Sequence, residues 1–132
     1  MTGAIAGSFD RRCVKVAYTG SLAAQARFYL SSVAGSGLAP YLTVQVRTGS
    51  GDNANCSDFT ASSTVFNATG LLDSTQTLTL LNSTSSSYAT GLAAWAVTTN
   101  DTKTYQFSWR VQPTNLAASK TATFGLAWEA RP

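Results

Sequence analysis

The stretch Lys103-Thr104-Tyr105-Gln106-Phe107-Ser108-Trp109-Arg110-Val111 decides the fold. Tyr105, Phe107, Trp109 and Val111 fall on one side of an extended chain, and Thr104, Gln106, Ser108 and Arg110 on the other. A period of two marks a strand with one buried face. Residues 121–129 repeat it, with Ala122, Phe124, Leu126 and Trp128 inward and Thr123, Gly125, Ala127 and Glu129 outward. Pro113, Asn115 and Ser119 make the residues between them suit a connection. The expectation is an antiparallel hairpin whose side chains form one continuous apolar wall, each aromatic contributing roughly 1.5–3 kcal/mol when fully buried.

Toward the N-terminus the alternation recurs. Residues 13–18 place Val14, Val16 and Tyr18 on one face, and residues 24–32 set Ala26, Phe28 and Leu30 against Arg27, Tyr29 and Ser31. In residues 42–48, Leu42, Val44 and Val46 alternate with Thr43, Gln45 and Arg47. Residues 49–63 read as the longest irregular stretch, Val65 and Phe66 as a short strand, and residues 76–81 as a strand with Leu78 and Leu80 inward. Residues 82–87 read as an exposed serine tip, and residues 91–97 as a turn tucking Leu92 and Trp95 under a sheet. Short strands divided by Gly, Asn and Ser turns imply an all-β fold, an antiparallel β-sandwich of jelly-roll or Greek-key type with little helix. Its expected core holds Phe28, Leu30, Tyr105, Phe107, Trp109, Phe124, Leu126 and Trp128. Residues 1–12 read as a flexible arm and residues 13–132 as a single domain. Within the arm, Met1, Thr2, Gly3, Ala4, Ile5, Ala6, Gly7, Ser8 and Phe9 are expected to contact a partner that orders them.

Only 11% of the 132 residues are charged, and Ser, Thr, Ala, Gly and Asn fill the gap. Such a weakly ionic surface suits exported β-proteins and virion surfaces. The net charge of +3 comes from cations scattered along the chain, and a nucleic-acid footprint needs clustering, so no nucleic-acid partner is expected. No stretch is long and apolar enough to span a membrane, and the start lacks the basic and apolar regions of a signal peptide. Cys13 and Cys56 cannot build a zinc site alone. They read as a disulfide worth about 4 kcal/mol, which requires an oxidising setting; the alternative is two buried free thiols.

The chain has no histidine, which removes the Ser-His-Asp arrangement and the commonest metal ligand. A Ser-Lys pair needs a buried lysine, whereas Lys15, Lys103 and Lys120 read as lying on solvated faces. Glu129 is the only glutamate and the aspartates fall in loops, so paired carboxylates for glycoside chemistry are not expected either. No enzyme activity, cofactor or metal follows from these residues. Asp52 and Asp58 are weak calcium candidates, since loop oxygens are that ion's ligands, but their spacing matches no ordered calcium loop and turn formation is the simpler role. Four Asn-X-Ser/Thr tripeptides, at Asn55, Asn67, Asn82 and Asn100, are what chance gives in such a composition. Trp95, Trp109 and Trp128 could stack sugars, but alternation assigns Trp109 and Trp128 to the core.

Three segments together resemble a known family: residues 12–24 (RCVKVAYTGSLAA) with Arg27-Phe28-Tyr29-Leu30; Gly37-Leu38-Ala39-Pro40-Tyr41-Leu42; and Lys103-Thr104-Tyr105-Gln106-Phe107 with residues 122–130 (ATFGLAWEA). They are similar to the TasA/camelysin-like proteins of Gram-positive bacteria, with actinobacterial members the nearest, over most of residues 10–130. The resemblance implies a jelly-roll domain, exported, that builds surface or matrix fibres by lending a strand to the next subunit. Peptidase activity ascribed to some members has no matching site here. Family members carry a strand ahead of the cysteine-bearing one, so the expectation is a sandwich with an unpaired edge, filled by a partner's strand or a neighbour's residues 1–10. These readings converge on a non-enzymatic subunit of a repeating assembly, first a phage virion surface (capsid decoration) protein, contacting copies of itself or a capsid protein. The alternatives are a secreted, TasA-like extracellular matrix or cell-surface fibre subunit and a small carbohydrate- or protein-binding module.

Overall fold

A computed structural model describes residues 7–132. Among these residues seven strands form two antiparallel sheets. They are β1 (Phe9–Tyr18), β2 (Ala24–Ala34), β3 (Leu42–Ser50), β4 (Thr60–Phe66), β5 (Leu92–Val97), β6 (Asp101–Val111) and β7 (Thr123–Arg131). One sheet has the order β1-β6-β3-β4 and the other β5-β2-β7. Every connection except β3 to β4 crosses between the sheets, as in jelly-roll winding. The all-β sandwich is therefore observed.

The expected β6–β7 hairpin is not. β6 pairs with β1 and β3, while β7 pairs with β2 in the opposite sheet. Residues 112–120 are long enough to cross between layers, with a 3-10 turn at Asn115–Ala117 that buries Ala117. The two alternating strands thus meet face to face across the core. Phe107 packs on Phe124 with ring centroids 5.2 Å apart, and Tyr105 packs edge-on against Trp128 at 5.4 Å. Phe28 completes the group at 5.8 Å from Tyr105 and 5.4 Å from Trp128. Such pairs add about 0.5–1.5 kcal/mol beyond the area they bury. Burial pushes the Tyr105 hydroxyl up to about 12, and it has no hydrogen-bond partner among the described residues.

Further expectations are corrected. Residues 76–81 are not a strand: Leu78–Thr84 is a helix, α1, capped by the Thr77 side chain, which accepts from the Leu80 N–H, and burying Leu78 and Leu81. The sequence Leu-Thr-Leu-Leu supports either period, and the cap decides. The serine tract is exposed at Ser83, Thr84, Ser86 and Ser87, but it is not a simple tip: residues 82–84 finish α1, and Ser85 is buried, its carbonyl accepting the Leu30 N–H at 2.9 Å. Residues 92–97 form strand β5, which brings Trp95 into a satellite cluster with Ala26 and Val97. Lys103 is not on a solvated face either: it sits half-buried, its ammonium 5.2 Å from the centre of the Trp95 ring. β4 begins at Thr60, so the irregular stretch is shorter than expected.

Candidate functional site

The disulfide is present, joining Cys13 of β1 to Cys56 in the β3–β4 loop. It draws that loop over β1 and β6. The Cys13 N–H donates to the Ala54 carbonyl at 2.9 Å, and the Thr104 hydroxyl donates to the Gly51 carbonyl at 2.6 Å. Asp58 closes the loop by accepting the backbone N–H groups of Asp52 and Asn53, which holds its carboxyl below the ordinary 3.8. Asp52 instead pairs with the Lys15 ammonium at 2.6 Å. The two calcium candidates are thus occupied with separate tasks, and the described residues contain no group of three or more His, Cys, Asp or Glu that could hold a metal.

The expected arm divides. Residues 1–6 lie outside the described residues, but residues 7–12 belong to the chain's own sheet. The Gly7 N–H donates to the Val111 carbonyl and the Val111 N–H to the Ser8 carbonyl, both at 2.8 Å, and β1 opens at Phe9. The arm boundary at residue 12 is therefore too late. Alternation carried the strand no further back than Cys13 because Phe9-Asp10-Arg11-Arg12 offers one apolar residue in four.

The expected core also divides, along a line that locates an opening. Phe28 and Leu30 on central strand β2 are 1% exposed, and Tyr105 and Phe107 are buried as well. Phe124, Leu126 and Trp128 on β7 are only half-buried, as is Trp109. β7 has β2 on one side and, among the described residues, no strand on the other. β7 lies over β6, and beyond β6 the inner face of β1 sets Arg12 and Val14 beside Phe107 and Tyr105 in the register. Val16 and Tyr18, farther along, are covered by the Trp95 cluster. Val14 is 37% exposed although it faces the core side. The three-stranded sheet stops one strand short of covering the four-stranded one.

The four sheet edges differ in protection. β1 is guarded by the Ala54 hydrogen bond and the disulfide loop; β4 is polar and carries two register shifts; β5 has six residues and one shift. All of these blunt an edge. β7 has nine residues and one register shift against β2, but neither a proline nor, among the described residues, a loop paired along its outer side. Glu129 near its end accepts from the Tyr29 hydroxyl at 2.9 Å and from Arg131 at 2.5 Å, which lowers its carboxyl from the usual range. Nothing in the sequence of β7 distinguishes it from a paired strand, so this edge was not legible before the topology.

The chain matches no protein-family model, no curated protein and no solved structure. Among the described residues no helix is long and apolar enough to cross a membrane, and the disulfide belongs to an oxidising setting.

Proposed function

We propose that this chain is a non-enzymatic structural subunit of a repeating surface assembly, joined to its neighbours by a strand added at the free edge of β7. One observation carries the reading: a long unguarded edge stands beside apolar side chains that the chain's own second sheet leaves half-covered. A strand laid there would pair the outward backbone groups of β7 and extend cover over the half-buried Leu126 and Trp128. The weakly ionic, Ser- and Thr-rich composition and the disulfide fit a particle outside the cell. Within that class the first reading is a virion surface protein, such as a phage capsid decoration protein. A secreted matrix fibre of the TasA kind is the second, supported by the resembling segments, which lie on β1, β2, the turn into β3, β6 and β7.

The test is Ala127→Lys, which sets a charge midway along the free edge. Sedimentation velocity should show concentration-dependent association of the native chain, weakened at least tenfold in the variant. Thr64→Lys on β4 should leave it unchanged. A native chain that stays monomeric at all accessible concentrations, or an Ala127→Lys variant that associates normally, would sink the reading.

A further inference from the structure

The outer face of the four-stranded sheet gathers charges that the sequence scatters. The register sets Arg11, Ser108 and Gln45 in one row across β1, β6 and β3, with Cys13, Gln106 and Arg47 in the next row on one side and Phe9, Arg110 and Thr43 on the other. Neighbouring strands lie about 5 Å apart and same-face neighbours about 7 Å. Arg11, Arg47 and Arg110 therefore surround Ser108 and Gln106. Among the described residues the two ion pairs are Lys15–Asp52 and Arg131–Glu129, and neither involves these three arginines. Asp10, the nearest acid along the chain, accepts the backbone N–H of Arg11 at 2.7 Å instead. Three like charges gathered without a counter-charge favour an anion above them.

A second observation points the same way. Ser108 and Gln106 are 7% and 8% exposed, yet neither side chain has a hydrogen-bond partner among the described residues, and neither polar group is sealed from solvent. Gln45, the neighbour of Ser108 in its row, is satisfied: its amide donates to the Asn67 carbonyl at 3.0 Å. Both groups keep contact with solvent, so a ligand hydroxyl could take the place of the water they bond, between the arginines. Phe9, 70% exposed, stands next to Arg110 at the end of its row. A hollow of about 410 Å³ bounded by Asp10, Arg11, Arg12 and Asn55 adjoins the patch.

We propose that this face binds an acidic polysaccharide. The exposed guanidinium of Arg11 and the half-buried one of Arg110 take its carboxylate or sulfate groups, a geometry suited to the planar fork of arginine, while Arg47, whose Nε is sealed from solvent, adds its charge from the next row. Ser108 and Gln106 bond sugar hydroxyls, and Phe9 presents an apolar face to a sugar ring. A glycan is favoured over a nucleic acid because the disulfide places the chain in an oxidising setting, where acidic glycans are the abundant polyanions. The site is on the other sheet from β7 and does not depend on strand addition there.

The test is titration calorimetry of the full chain with an oligogalacturonate, a dextran sulfate of equal length, neutral dextran and a single-stranded oligothymidylate. Binding of the galacturonate or the sulfate, weakening as salt rises, is expected, and the stronger of the two identifies the anion. Arg110→Glu and Arg11→Glu should each weaken it at least tenfold, whereas Lys120→Glu, an equal charge change elsewhere, should alter it less than twofold. Arg11 is exposed on an edge strand, so its variant should keep the native melting temperature. Ala127→Lys should bind normally, which separates this proposal from the assembly reading. Equal binding of neutral dextran, no binding at all, or equal loss in Lys120→Glu would overturn the proposal. Tighter binding of the oligothymidylate would also overturn it, assigning the face to nucleic acid.

Discussion

β1 and β7 are edge strands of similar length in the same sandwich, and only one of them is closed. β1 has a loop held against it by a disulfide, by the Cys13-to-Ala54 hydrogen bond and by the Lys15–Asp52 pair. β7 has none of these, and its apolar side chains stand half-buried at the margin of the core. The guard on β1 is supplied by residues about forty positions away, not by the strand itself. An edge strand's availability is thus a property of what the rest of the chain lays on it.

The largest expected effect comes from removing that guard. Cys13→Ser releases a cross-link between residues 43 apart, which costs about 4 kcal/mol on the chain-entropy model. Melting should fall by about 10–20 °C. The Cys13 amide should exchange faster with solvent, and a second mode of association, insensitive to Ala127→Lys, should emerge. Unchanged melting and exchange would mean that the loop guards β1 without the cross-link.

The open side is probed next. Trp128→Ala should cost about 2 kcal/mol in denaturant unfolding of the isolated chain, below the roughly 3–5 kcal/mol usual for a fully buried ring such as Phe28. Equal losses at Trp128 and Phe28 would show that the β7 margin is closed in solution.

The smallest effect is acidic loosening of the guard loop. The backbone N–H groups of Asp52 and Asn53 hold the Asp58 carboxyl below its ordinary 3.8. A group depressed in the folded state stabilises above its unfolded value, and the contribution is lost as pH falls through the folded one. Protection of the Cys13 amide, taken relative to its intrinsic exchange rate, should therefore fall as pH drops below 3.8, and Asp58→Asn should flatten that dependence. A flat profile in the native chain would remove Asp58 from the guard.

Alternation read correctly which residues of β2, β3, β6 and β7 face inward, since side-chain direction in a strand is local. It failed on partners. The β6–β7 hairpin was the nearest pairing along the chain, but the core gains more when Phe107 and Phe124 face each other across two sheets than when they share one. The outward face of β6 was read as solvated, yet Thr104, Gln106 and Ser108 are buried, because β6 is flanked on both sides and the β3–β4 loop bonds Thr104 through the Gly51 carbonyl. A row of uncharged Gln, Ser and Thr opposite a cysteine was the available signal. The three arginines around Ser108 lie at positions 11, 47 and 110, and no window along the chain brings them together.

The amino-acid order by itself determined an all-β chain, the inward faces of four strands and a weakly ionic character, because period and composition act through neighbours a few residues apart. Only the tertiary structure decided which strands pair, which edge stays bare and where unpaired arginines gather. Those depend on contacts between residues distant in the chain, chosen by what the two sheets together can bury.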